Sequence, residues 1–255
     1  MTQWKVLNTS RFTLNFVKRH YSDKIIPATD YISWDARKPV KIRMENSTPG
    51  NYPPILVQTM MRNTVAKYGN ETALVSYDGK IKWTFQEYER QVQKAAKGFL
   101  SLGLRSKHGV GIMAHNQPAW HISSLAAIYA GGLSSGIYIT NGPNIVKYIC
   151  EQAPLDLLIF ENDQLYHKMI KDEPVIQDIV KNFILLDESA KSQKLGKNVL
   201  TWNEMMESGN ALPDEIIDEK EKEQAVNDAC MLIYTSGTTG LPKGKTSYSM
   251  KVKIP

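Results

Sequence analysis

Between residues 110 and 186 short apolar runs alternate with stretches of helical spacing, and no other feature constrains the fold so strongly. Residues 110–114, 134–139, 155–160 and 183–186 have strand length and strand composition. Between them, residues 118–130, 144–152 and the stretch around Ile176 carry helical patterns. Successive strands separated by helices pair parallel through crossovers, and near-continuous apolarity means burial on both faces. The sequence therefore predicts an α/β fold of βαβ units with a largely parallel sheet.

The flanking segments carry sharper local signals. Pro53 and Pro54 can open a helix through Leu56, Met60, Thr64 and Val65, with Gly69 as its stop. Asp78-Gly79 between two short β-type runs signals a hairpin. Thr84 and Glu87 have the spacing of a capping box, with a helix running through Ala95, Ala96 and Leu100 to Gly103. Thr201 and Glu204 repeat that spacing for one more short helix. Residues 213–223 hold six acids against two lysines and read as a solvated linker or helix face. Residues 230–234 form a last apolar strand.

Composition closes off several classes. The chain has 255 residues, 42% hydrophobic and 22% charged, which is ordinary for a globular fold and excludes wholesale disorder. No apolar run approaches the ~20 residues of a spanning helix. Cys150 and Cys230 lie far apart with no CxxC spacing, so neither a disulfide framework nor a cysteine zinc site is supported. His115, His121 and His167 share no metal-ligand spacing and read as solvent or core residues, and His20 and His108 merely sit beside basic residues. Trp120 and Trp202 fall in helical stretches and read as packing residues.

The net charge of +5 is concentrated at one end. No acid precedes Asp23, whereas Lys5, Arg11, Lys18 and Arg19 are basic and supply most of the excess. The nearly neutral remainder has no field to steer it onto nucleic acid. Residues 1–30 add Trp4, Phe12, Leu14, Phe16 and Val17 to that charge. They read as a basic arm that packs on the domain or rests on anionic lipid, with a mitochondrial presequence as the alternative. The expected location is cytoplasmic, peripheral on a membrane.

One segment carries chemistry: Tyr234-Thr235-Ser236-Gly237-Thr238-Thr239-Gly240-Leu241-Pro242-Lys243-Gly244. Its three glycines let backbone N–H groups approach an anion. Thr235, Ser236, Thr238 and Thr239 can donate to phosphate oxygens or sit near a bound Mg²⁺, and Lys243 adds a compact positive charge. Pro242 presets the backbone just before it. A Walker A loop ending in Gly244-Lys245-Thr246 would need glycine at position 239, and threonine stands there. No amphipathic helix follows to seat the phosphates either.

The segment resembles the phosphate-binding signature of the adenylate-forming superfamily. Upstream, Lys67-Tyr68-Gly69, Leu102-Gly103-Leu104, Gly109-Val110-Gly111-Ile112, Asn116, Trp120, Ala130-Gly131-Gly132 and Asn162-Asp163 are similar to the bubblegum-type long-chain acyl-CoA synthetases. The resemblance covers about residues 33–244. It implies ATP, Mg²⁺ and CoA as co-substrates and a long-chain fatty acid as the acyl donor, joined through an acyl-adenylate. The implied phosphate site is Thr235, Ser236, Gly237, Thr238, Thr239, Gly240, Leu241, Pro242, Lys243 and Gly244. It also implies peripheral contact with a membrane, the endoplasmic reticulum being the family expectation, and a full-length paralogue as a partner.

After Gly244 the sequence departs from the family's strand and histidine element. The expected organisation is thus a basic arm at 1–30, a partial N-terminal AMP-binding domain at 31–244 and a divergent tail at 245–255. Lys245, Lys251 and Lys253 read as a frayed, solvated end. The sheet is expected to stop at the 230–234 strand with one edge unpaired, and the loop to hang free beside it. Read in this way the chain is truncated just after the phosphate loop, contains no complete catalytic set and is inactive alone. The rival reading is a non-catalytic binding or regulatory form.

Overall fold

The computed structural model describes residues 24–33, 35–42, 54–189, 196, 198–235 and 243–248. Helix α1 (Val57–Tyr68) precedes a hairpin of β1 (Thr72–Val75) and β2 (Lys82–Thr84), whose turn places Gly79 at φ 72°. Pro53 lies outside the described residues, and the helix starts just beyond the second proline, after Leu56. Gly69 closes it, as its position predicted. Helix α2 (Phe85–Ser101) opens on the expected capping box, with Thr84 accepting from the Glu87 N–H and the Glu87 carboxylate accepting from the Thr84 N–H.

The α/β alternation then unfolds in order. It runs β3 (Gly109–Met113), α3 (Pro118–Tyr129), β4 (Leu133–Gly136), α4 (Pro143–Gln152) and β5 (Leu155–Phe160). It continues through α5 (Asp163–Asp172), α6 (Ile176–Ile179), β6 (Asn182–Leu185) and β7 (Val199–Thr201). Helices α7 (Trp202–Ser208) and α8 (Glu215–Glu223) lead to β8 (Ala229–Thr235) and β9 (Lys243–Tyr248). The capping box of Thr201 and Glu204 starts α7.

The main sheet has the order β7-β6-β5-β3-β4-β8-β9, with the first six strands parallel and β9 antiparallel to β8. The chain first steps from β3 to β4, then crosses back over β3 to β5. Right-handed crossovers in opposite directions put their helices on opposite faces. Two cores result. Val146 and Ile149 of α4 and Tyr166 and Met169 of α5 pack on one face against Leu158 and Phe160. On the other face, Phe99 of α2, Ile122 of α3 and Met205 of α7 pack against Ile112, Leu157 and Ile159. Strand β5 is buried at every position, which is why its sequence shows no alternation.

Glycine lets two helices on that second face meet closely. A Cβ at Gly98 would lie 2.6 Å from the Met205 carbonyl oxygen, and one at Gly209 2.6 Å from the Gly98 nitrogen. Neither position tolerates a side chain without moving α7.

Three expectations are corrected. The sheet does not stop at β8: residues 243–248 pair with it along its length, from Thr235↔Lys243 to Ala229↔Tyr248. The loop is therefore held at both ends, and the 245–255 tail contributes strand as far as Tyr248. The acidic run 213–223 is not simply solvated. Its α8 buries Ile217 and Glu221, and the Glu221 carboxylate receives both Nη groups of Arg62 on α1.

The N-terminal end of the sheet is tied by three buried polar groups. In β5, Gly109 pairs with Leu155 and Val110 with Leu157, so Asp156 is an extra, bulged residue. Its carboxylate is 1% exposed and accepts from the Arg105 N–H at 2.9 Å and Nη2 at 2.6 Å, with His108 and Lys181 within 3.7 Å. Burial pushes this carboxyl up, but the Arg105 bonds and neighbouring cations outweigh it and hold it below the usual range. Asn227, also 1% exposed, accepts from the Ile26 N–H at 3.0 Å and donates to the Ile26 and Val40 carbonyls. It thereby straps residues 24–42 across the approach to β8. Arg62 and Glu221 form the third tie, with Gln58 donating to Gln224 at 3.0 Å beside them.

Candidate functional site

Ligands in parallel α/β sheets bind at the carboxyl ends of the strands, where crossover loops leave a crevice. Strand β8 delivers the glycine- and hydroxyl-rich segment to that end. Thr235, its last residue, is exposed, and β9 returns from Lys243 directly opposite. Ser236, Gly237, Thr238, Thr239, Gly240, Leu241 and Pro242 lie outside the described residues, so the structure fixes the two ends of this loop and not its interior. Lys243 and Gly244 belong to β9.

Gly244 has a packing role beside Tyr234. A Cβ there would stand 3.0 Å from Cε1 of Tyr234. The glycine admits the Tyr234 ring against the strand. Tyr234 is 6% exposed, and burial pushes its hydroxyl up to about 12.

Beside the loop, the ends of β3, β4 and β8 enclose a cavity of about 460 Å³. Trp120, Ile137, Tyr138, Met231 and Ile233 make its lining mostly apolar, with His115 and Asn116 at its polar side. Two of the apolar side chains are open to solvent, Tyr138 at 64% and Ile233 at 43%, and His115 and Asn116 are exposed beside them. Trp120 packs on the second core as its helical position predicted, and also faces this cavity.

Sequence reasoning missed the partner of His115. Its N–H and Nδ1 both lie on the same Glu161 carboxylate oxygen, at 2.7 and 2.8 Å. Neutral His115 therefore donates from Nδ1 and presents Nε2 as an acceptor. The signal was available once strands were paired, because Met113 and Phe160 are register partners, with Glu161 next after Phe160 and His115 two residues after Met113. His121 and His167 do not join it: His121 meets the Trp120 ring and His167 the Tyr166 ring.

The donor chemistry of the loop suits a polyphosphate: glycine N–H groups, four hydroxyls and one lysine, with no carboxylate among residues 235–244. Among the described residues no cluster of three or more His, Cys, Asp or Glu could hold a metal ion.

The chain matches the AMP-binding enzyme family over residues 61–246, and it belongs to that family. Within it, the chain is 35% identical over 229 residues to the long-chain-fatty-acid–CoA ligase ACSBG2 of Xenopus laevis, covering 88% of this chain and 31% of that protein. It is 36% identical over 208 residues to human ACSBG2, covering 80% and 31%, and 32% identical over 225 residues to rat ACSBG1, covering 86% and 30%. The chain therefore spans about a third of the length of these curated relatives. The fold is also that of the anthranilate CoA ligase AuaEII, solved in complex with anthranoyl-AMP, at TM-score 0.63 and 20% identity over 77% of this chain and 35% of that one. A long-chain-fatty-acid-CoA ligase (FadD1) from Archaeoglobus fulgidus gives TM-score 0.60 at 21% identity, covering 78% and 37%.

Proposed function

We propose that these residues form the pyrophosphate-side part of a long-chain fatty-acid–CoA ligase. The observation that carries this reading is the β8–β9 pairing, whose facing residues Thr235 and Lys243 flank the glycine- and hydroxyl-rich segment in a chain of the AMP-binding family. In the proposed reaction a fatty-acid carboxylate oxygen attacks the α-phosphorus of ATP, and the bond to pyrophosphate breaks. The CoA thiol then adds to the acyl carbon, loses its proton and displaces AMP.

The loop binds and aligns the β- and γ-phosphates, so that charge building on the departing pyrophosphate meets fixed donors. Lys243 contributes the one full charge in this set. Bound Mg²⁺ would add charge neutralisation at the same phosphates. On this reading the 255 residues bind MgATP through that grip.

The test is titration of the purified chain with MgATP, followed by calorimetry. Saturable binding that is lost in Lys243→Ala, with thermal stability unchanged, is expected. Equal binding by the two proteins would remove the loop from the nucleotide site. The location we propose is cytoplasmic with peripheral attachment to the endoplasmic reticulum. No helix among the described residues is long and apolar enough to cross a membrane. Import of a fusion of residues 1–30 into mitochondria would overturn that location.

A further inference from the structure

The chain leaves two neighbouring strands of the sheet towards opposite faces. After β3 it enters α3, which packs Ile122 on the second core, and after β4 it enters α4, which packs Val146 and Ile149 on the first. Strands β3 and β4 are paired, so the loops that leave them diverge and open a crevice at their carboxyl ends. Open α/β sheets take their ligands in crevices of this kind. Here the crevice is the cavity of about 460 Å³, lined by residues 114–116 after β3, residues 137–139 after β4 and residues 231–234 of β8. Gly136 keeps the space clear in front of Trp120, whose Cζ2 lies 3.4 Å from where a Cβ would stand.

The polar side of this cavity has a definite donor and acceptor character. Glu161 holds Nδ1 of His115, which leaves neutral His115 with Nε2 as an acceptor, and the exposed Asn116 stands next to it. No lysine or arginine is among the described residues that line the cavity. A carboxylate brought there would meet the field of the Glu161 carboxylate with no cation to offset it, and like charges at close range disfavour each other. This wall therefore accepts a hydrogen bond and rejects an anion. Most of what remains is apolar, with Trp120, Ile137, Met231 and Ile233 facing the same space.

We infer that this crevice binds a neutral long-chain alcohol. Its hydroxyl donates to His115 Nε2, and its hydrocarbon chain lies along Trp120, Ile137 and Ile233. Burial of the chain supplies most of the affinity. The bond to His115 supplies the discrimination, because a ligand of similar shape without an O–H leaves that acceptor without a donor. The inference is independent of the nucleotide reading. The residues it uses lie outside 235–244, and its ligand is not the fatty-acid carboxylate of the proposed reaction.

Equilibrium dialysis of the full chain, without nucleotide, against radiolabelled decanol, its methyl ether and decanoate tests this. One hydrogen bond separates the two neutral ligands, so decanol should bind about fivefold more tightly than the ether. Decanoate should bind more weakly than either. His115→Phe should remove the preference for the alcohol and leave binding of the ether as it was. Ile233→Trp, which fills the cavity from its open side, should weaken both neutral ligands. Both positions are exposed, so each variant should keep the parental Tm, which separates lost binding from lost folding. Equal binding of decanol and its ether by the parent chain, or decanoate bound as tightly as the alcohol, would overturn the inference. So would a preference that survives His115→Phe, decanol binding that Ile233→Trp leaves unchanged, or the absence of saturable binding of decanol.

Discussion

At the N-terminal end of the sheet, Asp156, Asn227 and Glu221 are each about 1% exposed, and each is matched by donors or acceptors from a different element. At the carboxyl end the pattern reverses. Tyr138 and Ile233 stand open, Thr235 is exposed, and the His115–Glu161 pair sits at the rim of a cavity. A buried polar group with its bonds made fixes position, because breaking those bonds strands a desolvated charge or amide. Donors and apolar surface left open serve something other than stability. One end holds the molecule together, and the other is free to meet a ligand.

Substitutions at the tied end should cost stability and leave nucleotide contact alone. The largest effect is expected for Arg62→Met, which leaves Glu221 buried and unpaired; about 3 kcal/mol, or roughly 6–12 °C in Tm, should be lost. Calorimetric melting checks it, and a change below about 0.5 kcal/mol would remove this pair from the set of ties. Asn227→Ala should follow at about 2 kcal/mol, since it strips the partners from the Ile26 N–H and from the Ile26 and Val40 carbonyls. Limited proteolysis should then cut within residues 24–42 faster than in the parent chain.

Asp156→Asn should give a smaller fall in Tm, and its signature is pH dependence. The folded carboxyl lies below its unfolded value, so its contribution is complete above about pH 4 and is lost as pH falls through the folded value. Parent and variant should converge in Tm on acidification, and a constant gap across that range would mean that the carboxylate charge is not what holds Arg105. His115→Ala, at the open end, should change stability least, within about 0.5 kcal/mol. A large loss there would erase the distinction between the two ends.

Much of this architecture was legible because it rests on local rules. The capping boxes at Thr84 and Thr201, the Asp78-Gly79 hairpin and the buried run of β5 each depend on neighbours in sequence. The parallel sheet followed from the alternation of those elements. Three features were not legible, each because its partner is remote. Asp156 in an apolar run reads as an interruption until Arg105, 51 residues away, is placed beside it. Glu221 looks like one more solvated acid until α1 brings Arg62 to it. Residues 243–248 have little strand character in sequence and become a strand by pairing with the open edge of β8. At the site, the structure gave Gly244 a packing contact with Tyr234 and gave His115 its partner, both of which depend on how strands pair.

The central claim is that the β8–β9 loop holds the phosphates of ATP and that Lys243 supplies charge to the departing pyrophosphate. Fatty-acid-dependent pyrophosphate release tests it most directly, measured in a full-length relative carrying residues 229–248 of this chain. Removing one well-placed electrostatic donor costs about 2.7–4 kcal/mol in the transition state, so Lys243→Ala should slow release by roughly 10²–10³-fold with Tm unchanged. Release at the parental rate by a folded Lys243→Ala protein would contradict the account.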